Sequence, residues 1–104
     1  MRRTQISCTL DISGTVEEER KELAGKIWAG LGTKTGLDHV TRRPVSGADA
    51  TTMLSFLATC AGRPHTGHLA LIDSVVEHAL RPYEIEKRPV NVAIADVHLE
   101  LLPD

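Results

Sequence analysis

The segment from Cys60 to His68 concentrates the side chains best suited to chemistry. It places one thiol, Cys60, and two imidazoles, His65 and His68, within nine residues. Thiolate and imidazole are preferred zinc ligands, but this spacing matches no usual zinc-finger or metalloprotease pattern, and no glutamate stands between the histidines to act as a base. The sequence therefore predicts no metal and no cofactor. The simplest interpretation makes Cys60 a core residue and places the histidines at a turn and a helix start.

A carboxylate on the helix that follows would complete an acid–base set. Asp73 and Glu77 are four residues apart, so both lie on one side of a helix. In an enzyme, His65, His68 and Asp73 would converge on a cleft and act as the catalytic residues. Carboxylates on a helix surface are more often simply solvated. We therefore keep the enzyme with these three residues as an alternative to a structural function.

Three cationic residues, Lys34, Arg42 and Arg43, follow the first predicted helix. The run from Gly30 to Gly36 resembles a phosphate-binding loop because it combines glycines with a lysine and a threonine. Such a loop follows a strand and opens a helix, whereas this run follows a helix. We therefore interpret Gly30 or Gly32 as the end of that helix, and the three cations as candidate ligands of an anionic small molecule.

The first elements to position these residues are a strand and a helix. Alternation of apolar and polar residues predicts a strand from Gln5 to Ile12 with one buried and one wet face. A Ser-Gly break follows. Thr15 and Glu18 then form a predicted capping box that starts the first helix.

The middle of the chain is predicted to hold a short strand and a second helix. An edge strand is expected around Leu37 to Arg42, because Pro44 is tolerated only at a strand end or edge. The second helix is predicted from a cap in Ser46 to Asp49 and from apolar residues spaced by three and four, and Gly62 and Pro64 end it. These apolar residues are Ala50, Met53, Leu54, Leu57, Cys60 and Ala61.

A third helix and a last strand complete the chain. The helix is predicted to begin near Thr66 and to end before Pro82, because proline removes a backbone donor. Its loop from the second helix is short, so the two helices are expected to pack together. The last strand runs from Val90 to Leu102, with a phase switch near Ala95 and Asp96 that indicates a β-bulge.

The order β-α-(β)-α-α-β predicts one α+β domain over residues 1–104. Its sheet is expected to have two or three mainly antiparallel strands with three helices packed on one face. Isolated sheets of that size are marginal, and exposed edges are usually paired or covered. We therefore expect a partner, most simply a second copy of this chain, to meet a strand edge or the face of helix 1 that bears Trp28.

Composition and charge argue against nucleic acid and membranes as partners of this chain. The formal charge of −2 gives no general attraction to nucleic acid or anionic lipid. The predicted second and third helices resemble a helix-turn-helix, but phosphates would repel Asp73 and Glu77 on the second of them. No stretch is long and apolar enough to cross a membrane. Cys8 and Cys60 are expected to be reduced in a cytoplasmic protein, with a disulfide between them as the alternative.

Two functions remain. The first is a small soluble structural or interaction domain that self-associates or completes its sheet with a partner chain. The alternative is a small enzyme or anion-binding protein with a site between subunits, built from His65, His68, Asp73 and the pair Arg42/Arg43. In the alternative, these residues converge on a concave surface; in the first function, they scatter over a wet surface.

Overall fold

A four-stranded antiparallel sheet with two helices on one face organises the chain. The computed structural model describes residues 2–45 and 51–103. Within them the elements are β1 (Arg3–Ser13), α1 (Glu17–Thr33), β2 (Asp38–Arg43), β3 (Thr52–Ala61), α2 (Gly67–Ile85) and β4 (Asn91–Leu101). The strand order is β2-β3-β1-β4. The predicted α+β class is confirmed, whereas two or three strands and three helices are the wrong numbers.

β1 is a central strand, and its alternation decides which face of the sheet is covered. Its even-numbered residues from 4 to 12 are buried, and its odd-numbered residues are half-buried. The buried residues Ile6, Cys8, Leu10 and Ile12 join one apolar cluster with side chains from both helices. The strand predicted over 5–12 is confirmed, and the core lies between this face and the helices.

The predicted second helix is wrong over its described part, because Thr52–Ala61 is the strand β3. Leu54, Phe56, Ala58 and Cys60 alternate along it and are buried. β3 lies between β1 and β2 and pairs with both, so the backbone groups that a helix would satisfy internally are satisfied by neighbouring strands instead. The cap predicted at 46–49 lies outside the described residues. Gly62 does adopt a left-handed φ of 88°, but it follows a strand.

α1 differs from its prediction at both ends. Its N-cap residue, Val16, makes no side-chain capping bond, and the Thr15 hydroxyl bonds the carboxylate of Glu19 rather than joining a box with Glu18. The helix also continues through Gly30 and Gly32 to Thr33. The left-handed turn comes later, at Gly36, with a φ of 100°.

α2 continues through Pro82 to Ile85, although it was predicted to stop before the proline. A proline inside a helix costs about 3 kcal/mol. The extra turn buries Tyr83 completely, and full burial of a large apolar side chain stabilises by about 1.5–3 kcal/mol. Burial of this ring therefore offsets much of the cost of the proline.

The two outer strands are both irregular. On β4, Thr9 lies opposite Asp96 and Leu10 opposite Ile94, so Ala95 is the extra residue of a bulge at the predicted place. On β2, the register shifts between Asp38 and Thr41, and His39 has a φ of 51°. The predicted edge strand is thus confirmed as β2, with bounds one residue later than expected.

Candidate functional site

The face of the sheet turned away from the helices, here called the open face, carries the most organised polar structure. No helix covers it within the described residues. Its central positions on β1 and β3 are nonetheless half-buried by their neighbours, and Ser55 is only 4% exposed. Its apolar members are few: Met53, Leu57 and Ala61 on β3 and Ala93 on β4 lie opposite polar residues of β1.

One rung of the open face crosses all four strands. Arg43 on β2 lies opposite Ser55 on β3, Ser55 opposite Thr9 on β1, and Thr9 opposite Asp96 on β4. The Arg43 guanidinium donates to Ser55 Oγ at 3.0 Å, and the Ser55 and Thr9 hydroxyls are 3.0 Å apart. The rung therefore begins with a cation at one edge of the sheet and ends with a carboxylate at the other.

A second set of polar contacts ties β1 to the β2 edge. Arg3 forms an ion pair with Asp38 at 2.7 Å and also donates to the Thr59 hydroxyl at 3.0 Å. Arg3 is thus balanced within the chain. Arg43 is not, because no carboxylate of the described residues pairs with it and its Nε is shielded without an acceptor.

Two of the three predicted catalytic residues touch each other. The rings of His65 and His68 have centroids 3.9 Å apart and are tilted by 39°. His65 Nδ1 accepts from the backbone N–H of Gly67 at the start of α2. His68 is only 3% exposed, and its Nε2 lies 3.0 Å from the carbonyl of Ala61. The pair therefore joins the end of β3 to the first turn of α2.

The third predicted catalytic residue stands apart. Asp73 is exposed on α2 and forms no hydrogen bond or ion pair with either histidine in the described chain. Glu77 is likewise exposed. Each imidazole has one backbone partner, as a structural histidine does, while Nδ1 of His68 is buried without a hydrogen-bond partner among the described residues.

The three predicted anion ligands lie on three different surfaces. Arg43 is on the open face. Arg42 lies opposite the buried Phe56, so it belongs to the helix-covered side of the edge strand, where it is exposed. Lys34 follows α1 and donates to Ser74 of α2 at 3.1 Å. These residues do not share one cleft.

Both cysteines are free and buried, so the predicted reduced state is observed and the alternative disulfide is not. Burial raises the pKa of Cys8 to about 11, with nearby Asp96 adding to the shift. Burial also raises the pKa of Cys60. A thiol with a raised pKa is a poor nucleophile at neutral pH.

Sequence reasoning missed a cluster around Tyr83. Its hydroxyl donates to Glu22 at 3.2 Å, and the Arg88 guanidinium lies 4.3 Å from its ring centroid. Arg88 also pairs with Glu19 at 3.2 Å. Burial, reinforced by Glu22, raises the pKa of the phenol. This is the only tyrosine of the chain, and the signal that could have found it is the tendency of large aromatic rings to be buried.

In residues 2–45 and 51–103, no three His, Cys, Asp or Glu side chains are grouped so that they could hold a metal ion. Neither α1 nor α2 is long and apolar enough to cross a membrane.

Comparison with known proteins defines the fold. No protein-family model and no curated protein matches the sequence. The structure is similar to the structural-genomics protein YJCS, with a TM-score of 0.55 and 10% identity over 97% of this chain and 99% of the other. It is also similar to a de novo designed protein with a ferredoxin fold, with a TM-score of 0.54 and 12% identity over 88% and 85% of the two chains.

A third similar structure is a putative antibiotic biosynthesis monooxygenase from Chloroflexus aurantiacus, with a TM-score of 0.51 and 10% identity over 95% of this chain and 94% of the other. The chain therefore has a ferredoxin-like α+β fold. Identities of 10–12% show the fold alone, and one of these three proteins was designed from nothing. The function of this chain therefore depends on its own residues and does not follow from its fold.

Proposed function

We propose that this chain is a self-associating domain that forms a homodimer through the open face of its sheet. The observation that carries the proposal is the rung from Arg43 to Asp96, which places unbalanced opposite charges at opposite edges of one surface.

Two-fold symmetry makes this surface complementary to itself. A two-fold axis that lies between two sheets and runs along their strands exchanges the two edges, so β2 of one protomer faces β4 of its partner. Arg43 of each protomer then lies over the partner's Asp96, and the contact occurs twice. Ser55 of each protomer then lies over the partner's Thr9, so the hydroxyls between these charges meet each other near the axis.

The open face is large enough for such a contact. β1 and β4 each have 11 residues, which at about 3.3 Å per residue gives about 36 Å. Four strands about 4.8 Å apart span about 19 Å, and because β2 is shorter the face measures roughly 600 Å². Two such faces bury roughly 1,200 Å², which is at the lower end of stable protein interfaces.

Pairing of two chains through their strand edges is less well supported than contact through the open face. The β4 edge carries the bulge at Ala95 together with Asp96, His98 and Glu100. The β2 edge has only 6 residues and is irregular at His39. Bulges, charges and short edge strands are the devices that block edge-to-edge pairing. The expectation that a partner extends the sheet also loses its premise, because the sheet already has four strands.

Sedimentation velocity over a concentration series tests the proposal. Arg43→Glu places a carboxylate over the partner's Asp96 twice per dimer, and exposed charge pairs contribute about 0.2–1 kcal/mol each. Replacing two attractions by two repulsions should cost roughly 2 kcal/mol, a weakening of about 30-fold in the dimer dissociation constant.

The matched control is Arg42→Glu, which makes the same charge change one residue earlier but on the other side of the sheet. It should leave the association constant unchanged. A wild-type chain that stays monomeric at every concentration would refute the dimer. A dimer that is equally weakened by both variants, or by neither, would refute the open face as its interface.

The alternative, a small enzyme, is favoured by one observation, the contact between the buried His68 and His65. We propose these two residues as its remaining candidates for catalysis, with Asp73 outside their reach. His65→Ala and His68→Ala in any activity screen would test it, since loss of an activity by both variants with folding intact would support the enzyme.

A further inference from the structure

A groove between the two helices has no role in the proposed dimer. It lies on the helical layer, between the C-terminal half of α1 and the middle of α2, and its volume is about 630 Å³. Drug-sized ligands occupy pockets of roughly 300–1,000 Å³, so the groove is large enough for one. Its lining comprises Lys26, Gly30, Thr33, Lys34, Thr35, Ser74, Val75, His78, Ala79 and Pro82.

The two helices approach closely at the floor of the groove. A Cβ added at Gly30 would lie 2.8 Å from Cγ1 of Val75. Val75 and Ala79 are largely buried beneath the groove. The floor is therefore apolar, and the polar side chains lie at its rim.

The charge of the groove is cationic, and it is uneven along its length. No carboxylate lines it. Lys26 at one end is balanced, because its ammonium lies 3.3 Å from Glu22 and 5.3 Å from the centroid of the Tyr83 ring. Lys34 at the other end bonds only the neutral hydroxyl of Ser74, and no carboxylate of the described residues pairs with it.

The C-terminus of α1, whose carbonyls repel an anion, lies at the Lys34 end, and two of its last four carbonyls, those of Gly30 and Leu31, accept hydrogen bonds. The Thr33 hydroxyl donates to the carbonyls of Ala29 and Gly30, and the backbone N–H of Lys34 donates to the carbonyl of Leu31. At this end of the groove, the groups that would contact a ligand are the ammonium of Lys34 and the hydroxyl of Ser74.

We propose that this groove binds a small amphiphilic anion, a phosphate ester or carboxylate with an apolar body. The anionic head lies at Lys34 and Ser74, where a charge-assisted hydrogen bond can form. The apolar body lies over Val75 and Ala79 toward Pro82. Of the three cations that the sequence offers as anion ligands, Lys34 is the one in this site, while Arg42 and Arg43 are on other surfaces.

The proposal is independent of the dimer, because the groove and the open face lie on opposite sides of the molecule. Phenyl phosphate is a suitable probe, since it combines a dianionic head with a flat apolar group. For a ligand of this size, a dissociation constant on the order of 1 mM is expected.

Titration of the ¹⁵N-labelled protein with phenyl phosphate, followed by NMR, tests the site. The amides that shift should belong to the groove, at Gly30, Lys34, Ser74 and His78. Inorganic phosphate and phenol, which each lack one half of the probe, should bind at least several-fold more weakly. Equal binding of either half alone would overturn the assignment of an amphiphilic ligand.

Two variants separate charge from shape. Lys34→Met should weaken the binding of phenyl phosphate about 10-fold, and Ser74→Leu should abolish it by filling the groove. Both positions are on the surface, so the amide spectrum of each free variant should remain that of a folded chain. Arg42→Met is the matched control and should bind as the wild type does. Unchanged binding by Lys34→Met, or shifts confined to Arg42 and Arg43, would overturn the proposal.

Discussion

Alanine substitutions at the glycines of α1 test how closely the two helices approach. Gly25 and Gly30 are both inside this helix, and glycine is about 0.8–1.0 kcal/mol less favourable than alanine there. Nothing lies within 4 Å of a Cβ added at Gly25. Gly25→Ala should therefore stabilise the fold by about 1 kcal/mol, which raises the melting temperature by about 4–8 °C for a chain of this size.

Gly30→Ala should have the opposite effect. Its Cβ would lie 2.8 Å from Cγ1 of Val75, a distance at which one of the two must move. Val75 is 6% exposed and sits in α2, where valine has one strongly preferred rotamer. Overpacking costs about 1–3 kcal/mol, so after the gain in helix propensity the net loss should be up to about 2 kcal/mol.

Urea unfolding followed by circular dichroism measures both changes. Gly32→Ala, which also has an open environment, should behave like Gly25→Ala. In a Val75→Ala background, Gly30→Ala should become stabilising, because the methyl group it meets is gone. The reasoning is refuted if Gly30→Ala stabilises the wild-type chain as much as Gly25→Ala does.

Three further predictions concern ionisable groups and are checked by unfolding at a series of pH values. Burial raises the pKa of the Cys8 thiol from 9.0 to about 11, so the thiol contributes its full stabilisation below pH 9. Between pH 9 and pH 11 the free energy of unfolding should fall by about 2–3 kcal/mol, and Cys8→Ala should lack that decline. Tyr83→Phe should cost about 1 kcal/mol at neutral pH through loss of the bond to Glu22, and it should also remove a loss of stability above pH 10, because the phenol's pKa is raised. The pKa of Glu19 is lowered, first by the Thr15 hydroxyl and then by Arg88. The carboxylate therefore stabilises the fold above its ordinary pKa, and this stabilisation disappears as the pH falls. Glu19→Gln should reduce the loss of stability at acidic pH, and an unchanged loss would contradict these contacts.

The sequence predicts strands well where one face of the sheet is wet. In β1, the strict alternation around Ile6 to Ile12 follows from burial on one face alone, and period-2 patterns report that situation directly. In β4, the phase switch at Ala95 marks the bulge for the same reason.

β3 escaped prediction because both of its faces carry apolar residues. Leu54, Phe56 and Ala58 face the core, while Met53 and Leu57 lie on the open face. Such a run contains spacings of three and four as well as two, so periodicity does not separate a helix from a central strand. Pairing with β1, whose residues lie about 50 positions away, decides the outcome, and a local pattern does not contain that information.

The candidate site could be predicted only in part for a related reason. His65 and His68 are close in sequence, and their contact follows from a turn at the start of a helix. The rung of the open face takes one residue from each of four strands, and only the sheet order and register bring them onto one line. These residues are Arg43, Ser55, Thr9 and Asp96. The sequence predicts Lys34 as an anion ligand. The groove beside it forms only because α1 and α2 approach closely at Gly30 and Val75, and the sequence does not show this.

Mixing two charge-reversal variants tests the homodimer most directly. Arg43→Glu and Asp96→Arg each place like charges over one another in their own dimers, but in a heterodimer of the two variants both contacts join opposite charges. Native mass spectrometry of the separate and mixed proteins should show two weakly associating variants and a heterodimer that forms preferentially on mixing. A mixture that stays monomeric, or that gives both homodimers and the heterodimer in statistical proportion, would contradict the account.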